Sequence, residues 1–193
     1  MSSGEPINFT NQFLIAMPGM EDENFEGSVV YLCEHSPQGA LGLVINKPID
    51  IKLENLFEKV ELALDRAELR GQPVYFGGPV HTERGFVLHP KTGVPSPYTS
   101  TLDIPGAGVE MTTSKDVLEA LAQGAGPSKV LVMLGYSGWG AGQLEDELRR
   151  NGWLTVDADP SIIFDTPVEE RYERALKLLG VDPRMLSQDA GHA

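Results

Sequence analysis

Apolar and polar positions along the chain fall into short blocks rather than long amphipathic stripes. Runs rich in Val, Ile, Leu and aromatic residues, closed by turn formers, predict strands near Gln12–Met17, Ser28–Glu34, Leu41–Asn46, Val74–Gly77, Arg84–His89 and Lys129–Leu134. Weaker strand patterns occupy Leu154–Val156 and Ile162–Phe164, and Gly77-Gly78-Pro79-Val80 before Arg84–His89 predicts a turn between hairpin-like strands. Val29, Val30, Tyr31 and Leu32 are apolar on both faces, which describes a strand covered on both sides.

Helices carry their own signals. Thr113 followed by Asp116 fits a capping box, with Val117, Leu118 and Leu121 on one face and Gly124 placed to end the helix in a left-handed turn. Thr166, Pro167 and Glu169 fit a second box, opening a helix with Tyr172, Ala175, Leu176 and Leu179 at i, i+3, i+4 and i+7, stopped by Gly180 and Pro183. A third helix, about Gly142 to Asn151, pairs Glu145 with Arg149 and Asp146 with Arg150 on a solvated face. A short fourth is expected at Leu53–Lys59. Strands and helices do not alternate, so the class is α+β, helices packed on a largely antiparallel, bent sheet, rather than a barrel of βα units or a doubly wound sheet. No internal repeat divides the chain, and one domain over residues 10–186 with flexible ends at 1–9 and 187–193 is expected.

Charge narrows the function. Lys and Arg number 15 against 28 Asp and Glu, a net charge of −13 that repels a phosphate backbone. Direct nucleic-acid binding is therefore not expected. The 21 glycines and 14 prolines follow no period and imply many turns. One cysteine, Cys33, excludes an internal disulfide and fits a reducing, cytoplasmic address. Met1 to Asn11 has no basic start and Phe13 to Met17 is a short apolar run, so neither a secretory signal nor a membrane segment is expected.

The segment VLVMLGYSGWGAGQLEDEL, Val130 to Leu148, reads as a strand, a glycine loop and a helix start. Such loops turn backbone N–H groups toward an anion. Yet no G-x-x-x-x-G-K-[ST] is present, and Gly138-Trp139-Gly140-Ala141-Gly142 misses the dinucleotide spacing, so no cofactor is expected. Tyr136 and Trp139 either anchor a ligand or partner or plug the edge of the core. Gly77 and Gly78 with Arg84 hold the ingredients of a carboxylate or phosphate clamp, although paired glycines before proline more often simply make a turn, with the arginine in a surface ion pair. Cys33 and His35 share a face if the strand continues without a break, which would form a thiol–imidazole pair, whereas full burial would leave the thiol inert. His81, His89 and His192 show no metal-ligand spacing, and Ser137 lies outside a nucleophile elbow, so neither a metal nor a serine hydrolase is expected.

Taken together, FLIAMPGM with Asp22 and Phe25, SVVYLCEH with GALGLVINKP, GGPV with RGFVLH, TTSKDVL, and LGYSGWGAGQLEDEL with NGWL and IIF resemble the YqgE/AlgH-type family of uncharacterised bacterial proteins. The resemblance runs from Phe13 to Phe164 and departs mainly between Gly93 and Gly108. It implies a branched sheet folded into a pseudo-barrel with surrounding helices, and it carries a transcriptional-regulator label but no catalytic residues. The family blocks single out Met17, Pro18, Asn46, Pro48, Gly77, Gly78, Pro79, Arg84, Gly135, Tyr136, Gly138, Trp139 and Gln143. These are expected to converge on one surface. The leading expectation is a non-enzymatic binding or regulatory domain that recruits a protein partner. The alternative is a small-molecule domain or enzyme in which the Gly135–Gly142 loop and Arg84 receive an anionic ligand.

Overall fold

The computed structural model describes residues 8–180 apart from 21, 24, 94 and 95. The doubly apolar run becomes β2 (Val29–Ser36), held between β1 (Gln12–Ala16) and β3 (Gly39–Val44). Its alternate residues enter two different cores: Val29, Tyr31 and Cys33 on one face, Val30 and Leu32 on the other. Between Leu32 and Glu34 the register with β3 slips by one residue, a bulge centred on Cys33.

The remaining strands are β4 (Pro48–Lys52), β5 (Pro73–Phe76), β6 (Val80–Pro90), β7 (Thr101–Ile104), β8 (Val109–Thr112), β9 (Leu131–Gly140) and β10 (Trp153–Asp157). Their order is β10-β1-β2-β3-β9-β6-β8-β7, with β4 and β5 branching off β9, and the sheet curls into a half-barrel. All pairings are antiparallel except β5 with β9. The α-helices are α1 (Leu53–Lys59), α2 (Asp116–Ala122), α3 (Gln143–Arg149), α4 (Pro160–Phe164) and α5 (Arg171–Leu178). α4 and α5 bury Ile162, Ile163, Ala175 and Leu176 on the core of Phe13, Tyr31 and Leu88. α1 and α2 cover a second core around Val87 and Val132. α3 closes a third, where Leu144 meets Leu14, Val30, Trp139 and Trp153. The α+β class and the branched sheet stand as expected.

β9 makes the branch possible. Its first half pairs with β6 on one side and β5 on the other, and its last residues, Ser137 to Gly140, pair with β3. Gly77 lies at the fork: it donates to the Leu134 carbonyl at 2.8 Å, and its own carbonyl accepts from Val44 N–H at 2.9 Å and the Ser137 hydroxyl at 3.1 Å. A Cβ on Gly77 would stand 2.3 Å from the Gly135 carbonyl oxygen, and Gly135 itself has φ +78°. Only glycine lets these backbones approach so closely.

Several expectations need correction. Gly77 to Val80 does not turn a hairpin, because β9 lies between β5 and β6 and the segment passes across it. The expected glycine loop at Gly135–Gly142 is strand as far as Gly140, since both flanks find partner strands. Ile162–Phe164 is helical: Asp159 caps α4 through the Ser161 N–H at 3.0 Å with Pro160 in the first turn. Neither capping box forms. Asp116 accepts instead from Thr99 N–H at 2.7 Å and from Ser114, and Thr166 donates to the Ser161 carbonyl at 3.0 Å, so α5 starts after a 3₁₀ turn. Leu179 is exposed rather than packed, although Gly124 and Gly180 take the expected left-handed φ. On α3, Asp146 pairs with Arg150 at 3.3 Å as expected, but Glu145 reaches His35 rather than Arg149. β4, β7 and β8 were not anticipated. Of the ends, Phe9 is partly buried on the third core, whereas residues 1–7, Pro183 and the tail from 187, His192 included, lie outside the described residues.

Candidate functional site

Where β9 ends and α3 begins, a polar knot ties two indoles together. Gln143 and Glu147 lie four apart on α3 and face the sheet. Glu147 Oε1 accepts from Trp139 Nε1 at 3.0 Å and Trp153 Nε1 at 2.9 Å, while its Oε2 accepts from Gln143 Nε2 at 3.1 Å. Gln143 Oε1 in turn accepts from Gly140 N–H at 3.0 Å. A half-buried carboxylate is thus held by neutral donors on both oxygens.

Phe25 completes an aromatic box, its ring 6.1 Å from Trp139 at 25° and 5.4 Å from Trp153 at 71°. The loop that carries it is fixed from behind. Asn46 donates to Gly27 O at 3.0 Å and accepts from Val29 N–H at 2.9 Å, Lys47 reaches the Glu26 carbonyl, and Ser28 the Phe25 carbonyl. Between these walls is a hollow of about 260 Å³, with Met20, Asp22 and Arg150 at its lip. A second, wider hollow of about 470 Å³ runs from Glu34 and Gln38 past Ala40 to Val80 and Tyr136. Gly138 and Trp139 line both. Gly138 is exposed, and a Cβ there would meet only the Tyr136 ring edge at 3.3 Å, so no side chain stands where the two hollows share their lining.

The expected site residues divide around this groove. Gly138, Trp139 and Gln143 line the first hollow and Tyr136 the second, and the Met17 N–H holds the Gly152 carbonyl at 3.2 Å, leading Pro18 toward Met20 at the lip. Asn46 acts at one remove, through the Phe25 loop. Gly77, Gly78 and Gly135 are in the buried fork, where a Cβ on Gly78 would meet Tyr136 backbone at 2.2 Å. Pro48 opens β4 opposite Tyr75, and Pro79 is exposed before β6. Exposed Arg84 lies 5.9 Å over the Phe86 ring, and Phe86 and His81 flank Tyr136 at 5.7 and 5.9 Å. Arg84 therefore reaches the groove only through that aromatic stack. The expected anion clamp loses two of its donors, because the Gly77 and Gly140 N–H groups are taken internally. Phe25, Trp153 and Glu147 were not singled out as site residues. Their signal was available in the i, i+4 placement of Gln143 and Glu147 and in the aromatic residue shortly after α3.

The reactive side chains face elsewhere. Burial, reinforced by Glu34, pushes the Cys33 thiol well above its ordinary range, and its Sγ points to the Tyr31 carbonyl at 3.7 Å. The bulge turns His35 onto the opposite face, so no thiol–imidazole pair exists. His35 Nδ1 accepts the Phe9 N–H at 3.0 Å, which leaves the proton on Nε2 toward Glu145 at 3.3 Å. Buried His89 sits in a chain with Thr112 at 2.7 Å and the Pro90 carbonyl at 2.8 Å. Burial depresses its basicity against the opposing pull of that carbonyl and Glu110. Ser137 is fully buried on Gly77 O. Among the described residues no group of three or more His, Cys, Asp or Glu is placed to hold a metal, and no helix is long and apolar enough to cross a membrane.

Comparison with known proteins yields consistent matches. The family described as AlgH-like matches residues 13–184. A UPF0301 protein of Cupriavidus metallidurans is 66% identical over 100% of this chain and 99% of its own length, and one from Variovorax paradoxus is 68% identical over 97% of each. The solution structure of the AlgH protein from Pseudomonas aeruginosa is 50% identical, covers 100% of both chains and superposes with a TM-score of 0.78. The crystal structure of protein DIP2367 from Corynebacterium diphtheriae, 22% identical with a TM-score of 0.61 over 83% of this chain and 81% of that one, shares the fold.

Proposed function

This chain belongs to the AlgH-like family, and from that premise we propose that it is a binding domain which docks an extended segment of a partner protein in the groove across Gly138. The observation that carries this reading is that the two hollows lie side by side on β9, with Gly138 and Trp139 lining both. The first is smaller than pockets that enclose drug-sized molecules, and the second is a wide trough. A chain that seats one side chain in the aromatic box and runs on across β9 uses both. Buried tryptophans braced by hydrogen bonds are the rigid anchors around which protein contacts concentrate. Binding rather than chemistry is supported by the placement of Cys33 and Ser137, each buried and turned to a backbone carbonyl. A regulatory role would then be exercised through the partner, which agrees with a surface too acidic for duplex DNA.

The test is site-specific photocrosslinking in cells. A photoreactive residue at exposed Gln38, in the trough, should give a discrete crosslinked protein, and the same residue at Glu58 on α1 should not. Gly138→Val puts a branched side chain where the two hollows share their lining and should abolish the Gln38 crosslink while leaving the melting temperature unchanged within about 3 °C. Crosslinking that survives Gly138→Val in a folded protein would contradict the proposal.

A further inference from the structure

We infer that the side chain received by the aromatic box is cationic, an arginine or lysine of a basic partner segment; this inference rests on the groove being the docking site. Charge is left over at the box. Both oxygens of Glu147 accept hydrogen bonds, yet all three donors are neutral N–H groups, so its negative charge is not neutralised by the bonds that hold it. Two of those donors are the indoles themselves. A carboxylate accepting an indole N–H polarises the ring toward a more negative π system, and Trp139, Trp153 and Phe25 all contribute to the wall of the hollow. The anion behind the rings therefore strengthens the attraction that aromatic faces have for a cation.

The surrounding surface is charged in the same sense. Asp22 stands at the lip of the box, and Glu34 is the charged residue lining the trough among the described residues. Arg150 is the single described cation lining either hollow, and Asp146 engages it at 3.3 Å. A basic segment entering from Gln38 toward Trp153 meets carboxylates at each end and an aromatic box between. At longer range the net charge of −13 steers basic partners and repels acidic ones. An apolar side chain would fill the box but leave Glu147 without a counter-ion in a partly desolvated place, which disfavours it.

The chain's two tryptophans are both in the box, so tryptophan emission and the two indole N–H resonances report on it alone. The probes are tryptophan-free capped peptides, Gly-Gly-X-Gly-Gly, with X as arginine, lysine, norleucine or glutamate, added to the full chain. Arginine and lysine peptides should shift both indole resonances at millimolar concentration, bind about tenfold more tightly than norleucine, and weaken as salt rises. Glu147→Gln keeps an acceptor and removes the charge. It should weaken the arginine peptide about tenfold and the norleucine peptide by less than about twofold. Equal binding of norleucine and arginine peptides would overturn the cation inference while the Gln38 crosslink could still stand. Indoles unmoved by the basic peptides would overturn it as well. Tetramethylammonium binding as tightly as the arginine peptide, with no Gln38 crosslink, would make the occupant a free small cation and overturn the protein source.

Discussion

Glu147 is the residue on which the box depends, because one oxygen satisfies two indoles that are 6% and 4% exposed. Glu147→Ala strands both N–H groups, and a loss of about 3 kcal/mol in urea unfolding is expected, with tryptophan emission moving to the red. At the fork, Gly77→Ala places a methyl 2.3 Å from the Gly135 carbonyl oxygen, and the same measurement should show a loss of about 3 kcal/mol or more. Gly138→Val, whose added Cβ meets only the Tyr136 ring edge at 3.3 Å and beyond, should change stability by less than about 1 kcal/mol. The contrast separates glycines that allow backbones to approach from a glycine that lines the groove without a side chain. Sequence alone marked all three glycines but offered no means of telling these roles apart, since each depends on what crosses it in space. It marked Trp139 for the same reason and left open whether the ring anchors or plugs; the structure has it buried in the core on one side and lining the groove on the other.

At the scale of elements, the apolar blocks of β1, β2, β3, β6 and β9 were legible because buried strands require continuous or alternating apolar residues. β4 reads poorly because its burial alternates only weakly and every second residue is exposed, and the hairpin of β7 and β8 hides acidic and hydroxyl residues in its core-facing positions. Buried Glu110, His89 and Thr112 there are a pattern that hydropathy does not recognise as core. α4 reads as a strand in the sequence because three apolar residues carry no period, although Asp159-Pro160 states a helix start. Asp159→Ala should therefore lower stability by about 1 kcal/mol, measured by chemical unfolding, with Thr166→Ala affecting the end of the same helix through the Ser161 carbonyl rather than the start of α5.

For the molecule as a whole, the buried titrating groups predict a bounded range of pH stability. Burial raises Cys33, Tyr31 and Tyr172 above their ordinary ranges, so the folded chain holds these protons more tightly than the unfolded one. Their contribution is complete below the unfolded values and is lost as pH rises, from about 8.5 for the thiol and about 10 for the phenols. Cys33→Ala should delay the onset of alkaline destabilisation from the thiol range to the phenol range in urea midpoints measured against pH. His89 is shifted the other way by burial, so its contribution is present above about 6.5 and falls as pH drops through its folded value. The branched sheet itself joins three cores, and β9 touches all of them, which places the groove at the end of the strand that organises the fold. The most direct test of that placement is residue-resolved NMR mapping of the labelled full chain bound to the partner recovered through Gln38. Shifts are expected to trace a continuous path from Gly152 and Trp153 through Gly138 to Gly39 and Gln38, with His89 and the separate apolar groove between Leu56 and Leu118 unmoved. Shifts centred on Leu56 and Leu118, or absent from Gly138, would contradict it.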